Sequence, residues 1–136
     1  LEESGPLVEA CRRVGLTCSL LVAPTTPEAR AVAIARASSG FVYLLSRAGI
    51  TGERSDTPEI ADRVRVIRQA ATIPVACGFG IATPEHVAAV VRHADAAIVG
   101  TALVRRLEAA HRDRQPLAHA AAEFMAELST GLIPAS

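Results

Sequence analysis

The sequence predicts an α/β fold of parallel strands joined by crossover helices, and three observations carry that reading. Short apolar or β-prone runs alternate with segments of helical period, four times over, at intervals near those of a strand–helix unit. A Thr-Pro-Glu triplet recurs as Thr26-Pro27-Glu28, Thr57-Pro58-Glu59 and Thr83-Pro84-Glu85, at spacings of 31 and 26 residues, each time beyond a strand and its loop. Three strand ends carry glycine: Gly49 and Gly52 after Leu45, Gly78 and Gly80 after Cys77, and Gly100 after Val99. Four such units suit an open sheet or half of an eight-stranded barrel. A doubly wound sheet is the weaker alternative, because no glycine fingerprint follows the first strand at Ala23.

Each element has a local cause. Ser4-Gly5-Pro6 supplies start signals, and Leu7, Ala10, Cys11 and Val14 recur at helical spacing until Gly15, predicting a helix over 6–14. Thr17 to Ala23 is apolar and β-prone and stops at Pro24, predicting a strand of about six residues. Each triplet then starts a helix: Thr accepts from a free amide, Pro fixes φ for the first turn, and Glu complements the positive helix end. Phe41 to Leu45 is a continuous apolar run, as expected of a strand covered on both faces. The helix after Thr57 sets Ile60, Val64, Ile67 and Ala71 on one face, opposite Arg63, Arg65 and Arg68. Strands follow at 74–78 and 95–99, with helices near 84–93, 101–111 and 116–129. The last turns Leu117, Ala121, Phe124, Met125 and Leu128 inward, and Gly131 can end it.

Composition narrows the function. At 136 residues and half apolar, the chain fits one domain. Fourteen basic residues balance fourteen acidic ones, so no net field favours nucleic acid or an anionic membrane. All the basic residues are Arg, which excludes lysine Schiff-base chemistry within this chain. Cys11, Cys18 and Cys77 form no C-x-x-C pair, arguing against a zinc site or disulfide framework and for a reducing, cytoplasmic setting. No apolar run reaches the roughly 18 residues of a membrane span. His86, His93, His111 and His119 fall on predicted helices and read as surface or packing residues, not metal ligands. The opening Leu1-Glu2-Glu3-Ser4 reads as the middle of a connection, so a fragment or processed product is expected.

The candidate site is a shared anion site at the glycine-marked strand ends. Glycine lets backbone amides come close to a ligand, and a helix starting at Thr101 would add its positive end. Turn glycines alone would account for any single one of these positions; their recurrence favours a phosphate.

Tyr43-Leu44-Leu45-Ser46-Arg47-Ala48-Gly49-Ile50-Thr51-Gly52, then Gly78-Phe79-Gly80-Ile81-Ala82-Thr83-Pro84-Glu85, then Gly100-Thr101-Ala102-Leu103-Val104 closely resemble, in that order, the tryptophan synthase alpha chain family. The resemblance covers essentially the whole chain. It implies a TIM (β/α)8 barrel of which residues 1–136 are a single domain, the C-terminal half from helix 4 through helix 8. It implies an indole-3-glycerol phosphate lyase of tryptophan biosynthesis that releases indole and glyceraldehyde 3-phosphate. The implied partner is a β chain, which alone would hold pyridoxal phosphate; no cofactor is expected in this chain.

Residue by residue, Gly52, Gly80, Gly100 and Thr101 match the phosphate loops, with Thr101 standing where the family often has serine. Tyr43 and Phe79 match the substrate pocket, and Arg47 and Thr51 the mobile lid. The family's catalytic glutamate and aspartate belong to elements that would precede Leu1, so no catalytic residue is assigned in this chain. Such a half barrel should bind an N-terminal half or associate with itself. The alternative is a non-catalytic phosphate-binding half-barrel or regulatory subunit; another phosphate-binding barrel is weaker, because the Tyr43–Gly52 loop speaks against it.

Overall fold

The computed structural model describes residues 1–46, 58–78 and 80–132. The order is α1 (Gly5–Arg13), β1 (Leu21–Val22), α2 (Glu28–Ala37), β2 (Val42–Leu45), α3 (Pro58–Ala70), β3 (Val75–Gly78), α4 (Pro84–Val91), β4 (Ala96–Ile98), α5 (Thr101–Arg112), α6 (Leu117–Ser129) and a 3₁₀ turn over Thr130–Leu132. The strands form one sheet in the order β1-β2-β3-β4, every pair parallel. The predicted alternation of strand and helix is therefore the observed one.

The faces of the sheet differ, and register explains how. Val22, Leu44, Cys77 and Ala97 are aligned across the four strands. With Val42 and Val75 their row makes the helix-covered side: Val22, Val42, Val75 and Cys77 are 0% exposed and Leu44 2%. Ala31 and Ile34 of α2, Ile60, Val64 and Ile67 of α3, and Val87 and Val90 of α4 pack there as one core. Burying each large apolar side chain contributes about 1.5–3 kcal/mol. The alternate row, Leu21, Tyr43, Ala76 and Ala96 followed by Leu45, Gly78 and Ile98, makes the other face. There Leu21 is 45% exposed, Tyr43, Leu45 and Ile98 are half-buried, and none joins the core cluster. The expectation that the second strand is covered on both faces is thus corrected: among the described residues, helices close one face only.

Four local expectations also change. The run from Thr17 yields only two residues of ladder, because serine hydroxyls take the place of backbone partners before Leu21. Ser39 Oγ accepts from the Cys18 amide at 2.9 Å, Ser38 Oγ from Leu20 at 3.3 Å, and Ser19 Oγ from Phe41 at 3.1 Å. Thr26 does not cap α2; its hydroxyl accepts from the Ala23 amide, closing the β1–α2 loop on itself. Arg63 does not lie on a wet face. Its guanidinium donates to the carbonyls of Thr26 at 2.6 Å and Pro24 at 2.8 Å, tying α3 to that loop. On α6 the buried stripe is Ala120, Phe124 and Leu128, while Leu117 and Met125 stay 45% and 46% exposed. Gly131 is buried, and a Cβ there would collide with the Pro84 carbonyl, so it serves close packing of the chain end on α4 as well as helix termination.

At the amino end of the sheet, Asp95 joins three elements. Its carboxylate accepts from the Val75 amide and from Arg68, both at 2.8 Å, while its own amide donates to the Val75 carbonyl. Among the described residues, no helix is long and apolar enough to cross a membrane.

Two outcomes test this packing. Arg63→Ala leaves two loop carbonyls without their charged donor and should cost about 1.5–3 kcal/mol, read from urea unfolding; an unchanged midpoint would show that the guanidinium is not holding the loop. Burial pushes the Cys77 thiol up to about 11, with a hydrogen bond to Ser46 partly opposing it. At pH 8 roughly a thousandth of it is thiolate, so a disulfide reagent should modify half-buried Cys11 well before Cys77 in the folded protein. Equal rates would contradict the burial.

Candidate functional site

The carboxyl ends of β2, β3 and β4 lie side by side. Leu45 is in register with Gly78 and Gly78 with Ile98, and the Ser46 amide extends the pairing to the Gly78 carbonyl at 3.1 Å. Three chain segments therefore leave the sheet from adjacent points. In parallel α/β folds this is where ligands bind, because the following loops and helix starts converge there.

Tyr43 crosses the uncovered face toward that end. A Cβ built on Gly78 would lie 2.9 Å from Tyr43 Cε2, from Tyr43 Oη and from Ile98 Cβ. Only glycine at 78 lets the phenol ring rest across the neighbouring strand. Tyr43, expected in a substrate pocket, is thus half-buried on the open face with its hydroxyl beside Gly78, an apolar ring with one polar handle. Gly78 was legible only as a strand-end glycine; its reason is a neighbour 35 positions earlier, brought in by register.

Gly80 is exposed, with φ at +74° and open space where a Cβ would stand. Its requirement is conformational, not steric: a side chain there would face the strain of the left-handed region, about 1–2 kcal/mol. Beyond it, the start of α4 is well satisfied. Thr83 Oγ1 accepts from the His86 amide at 3.4 Å, Pro84 opens the helix, and the Ala82 amide donates to His86 Nδ1 at 3.3 Å. A hydrogen bond from Thr83 holds Glu85 below its ordinary carboxylate range.

The start of α5 differs. Gly100 is its N-cap, no side chain caps it, and no acidic residue occupies its first turn. Gly100 and Thr101 are both exposed. The first amides of this helix therefore keep their donor capacity and the positive end of the helix dipole, which suits an anion. Of the expected phosphate residues, Gly80, Gly100 and Thr101 follow adjacent strands β3 and β4. Gly52, Phe79, Arg47 and Thr51 lie outside the described residues.

Carboxylates occupy other places. Glu2 pairs with Arg30, Glu9 with Arg12, Asp62 with Arg65 and Glu123 with Arg106, all on or beside helices, and Asp95 sits at the amino end of the sheet. Arg30 holds Glu2 well below the usual carboxylate range. No group of three or more His, Cys, Asp or Glu able to hold a metal ion occurs among the described residues.

Known proteins share this sequence and this arrangement. The family model for the tryptophan synthase alpha chain matches residues 1–132. The tryptophan synthase alpha chain of Caulobacter sp. (strain K31) is 50% identical over 110 residues, covering 80% of this chain and 40% of that protein. That of Cyanothece sp. (strain PCC 7425 / ATCC 29141) is 44% identical over 136 residues, 98% of this chain and 50% of the relative. Among solved structures, the alpha subunit from Campylobacter jejuni superposes with a TM-score of 0.77 at 30% identity, covering 94% of this chain and 50% of that one. A tryptophan synthase from M. tuberculosis gives 0.77 at 28% identity, covering 96% and 46%. The chain spans about half the length of the relatives it matches, and its four parallel strand–helix units are about half of their TIM barrel. By sequence and by fold, the chain belongs to the tryptophan synthase alpha chain family.

Proposed function

We propose that this chain is the phosphate-binding part of an indole-3-glycerol phosphate lyase, residues 1–136 forming one domain that corresponds to helix 4 through helix 8 of the barrel. The observation that carries the reading is the uncapped start of α5 at Gly100-Thr101, beside a β3–α4 loop that turns through positive φ at Gly80. Backbone amides at Gly80, Gly100 and Thr101, with Gly52 as a fourth contributor, would hold the substrate phosphate. Because the chain has no Lys, amides and the helix end supply most of the attraction. Tyr43, together with Phe79, would wall the indole end of the substrate. Arg47 and Thr51 would belong to a lid that closes over it.

Releasing indole and glyceraldehyde 3-phosphate needs an acid and a base at the reacting carbons. Of the carboxylates described above, Glu85 opens α4 beyond Gly80 but is held by Thr83, and the others lie on or beside helices or at the amino end of the sheet. We assign both groups to a complementary half of the barrel, so this chain alone binds but does not turn over. A β chain carrying pyridoxal phosphate would be the partner that consumes indole, in a cytoplasmic setting. The second reading, a phosphate-binding or regulatory subunit without chemistry, is favoured by that same placement of the carboxylates.

Two measurements test the proposal. Indole release from indole-3-glycerol phosphate should be absent with this chain alone, with or without a β chain; turnover by these residues would place the acid and base within them. Glycerol phosphate should bind, and Gly80→Val, folded by circular dichroism, should weaken it at least about tenfold, or 1.4 kcal/mol. Equal affinities would remove Gly80 from the site.

A further inference from the structure

His86, expected as a surface or packing residue, makes a contact that neither role requires. It stands at the third position of α4, half-buried, and its Nδ1 accepts from the Ala82 amide at 3.3 Å. At this position a helix start often carries Glu or Gln, whose side chain reaches back to the amide of the capping residue while the capping hydroxyl accepts from the third amide. Here the second half of that exchange is present, Thr83 Oγ1 accepting from the His86 amide at 3.4 Å, and the first half is moved one residue further out, to Ala82. The acid of the first turn is used otherwise: a hydrogen bond from the Thr83 hydroxyl holds Glu85 below its ordinary carboxylate range. The result is one directed chain, from the Ala82 amide to the His86 ring, from the His86 amide to Thr83, and from the Thr83 hydroxyl to Glu85. Because Nδ1 accepts, the neutral ring carries its proton on Nε2.

The chain matters because of what precedes it. Gly80 turns through a φ of +74°, with nothing within 4 Å of the place where a Cβ would stand, so no packing on that side holds its torsions. Glycine has the widest backbone freedom of any residue, and ordering it costs entropy. On one side of the turn the ladder fixes the chain, through Gly78 in register with Ile98. On the other side Ile81 is 3% exposed in the core, but a buried side chain does not by itself set the orientation of the peptide between Ile81 and Ala82. The hydrogen bond from that peptide's amide to His86 does. We propose that His86 is a positioning residue for the anion site: its ring fixes the peptide after Ile81 and thereby holds the Gly80 turn in place. This rests on the phosphate reading of Gly80 and deepens it, naming a residue that touches no ligand and acts through the loop. The two sources of amides are then prepared differently. Those of α5 belong to a twelve-residue helix and are ordered by it, whereas the Gly80 turn is loop and takes its order from a brace. Such a brace raises affinity because the ordering is done before the anion arrives.

The test compares the wild-type protein with His86→Ala and with His86→Asn, whose Oδ1 stands as many bonds from the backbone as Nδ1 and can accept the same amide. Both variants leave the buried α4 residues Val87 and Val90 in place. Amide exchange followed by NMR should show Ala82 exchanging at least about tenfold faster in His86→Ala and near the wild-type rate in His86→Asn. Calorimetric titration with glycerol phosphate should show affinity weakened about three- to tenfold in His86→Ala, the size expected for ordering one loop segment on binding, and restored in His86→Asn. A cap that only stabilises α4 gives a lower unfolding midpoint with unchanged affinity, and that result overturns the proposal while leaving the phosphate reading standing. An Ala82 amide indifferent to loss of the ring overturns it as well. Absence of binding by all three proteins removes the phosphate reading, and the role of His86 with it, so the two failures are told apart. Should His86→Ala not fold, the imidazole nitrogens of the wild type decide: an Nδ1 that carries the proton at neutral pH refutes the proposal, and an accepting Nδ1 with exchange and affinity intact in His86→Asn supports it.

Discussion

The constraint on which the structure depends is that a parallel ladder must bury both of its faces while its connections run through helices. Here the helices satisfy one face completely. The row through Val22, Leu44 and Cys77, with Val42 and Val75, is closed by side chains of α2, α3 and α4. Because side chains alternate across each strand, that same register commits Leu21, Tyr43, Leu45 and Ile98 to the opposite face, outside the core that the described helices close. Tyr43 belongs to the row that the described helices leave open, and its ring lies beside Gly78 at the carboxyl end of β3.

Hydrogen bonding then sorts the loops at the carboxyl end. The β1–α2 loop is closed by the Thr26 hydroxyl and the Arg63 guanidinium. The β3–α4 loop is fastened to its helix by Thr83 and His86. Only after β4 does a described helix longer than three turns begin with glycine at its N-cap, no side-chain cap and no first-turn acid. Loops that have satisfied their own donors are structural; a helix start that has not is where an anion finds amides. The amino end, by contrast, is tied by Asp95 to β3 and to Arg68 of α3, which serves stability.

Much of this was legible in residue order. Alternating periodicity located the four strands and six helices of the described residues, and on α3 it also picked out the buried face of Ile60, Val64 and Ile67. Gly80, Gly100 and Thr101, expected at the phosphate, follow the neighbouring strands β3 and β4. What was illegible depends on partners distant in sequence. The run from Thr17 carries full β character, yet Ser38 and Ser39 divert its amides to hydroxyls. Arg63 sits in a row of arginines that periodicity assigns to solvent, but two carbonyls 37 and 39 positions away capture it. On α6, Leu117 and Met125 lie only a rotation away from the buried stripe, and packing against α5 and α4 selects Ala120, Phe124 and Leu128 instead.

The glycines show the same division most sharply. Gly80 could be read locally, since its loop needs a backbone turn through positive φ and the space around it is open. Gly78 and Gly131 could not. Each has an ordinary backbone and is required by what stands against it, the Tyr43 ring and Ile98 in one case and the Pro84 carbonyl in the other. A glycine demanded by conformation can face a ligand, because the room for a side chain exists and is left to something else. A glycine demanded by contact is already filled. On that physical distinction Gly80, and not Gly78, is the glycine of the β3 end with open space beside it, while Gly78 lets the Tyr43 ring lie across its strand.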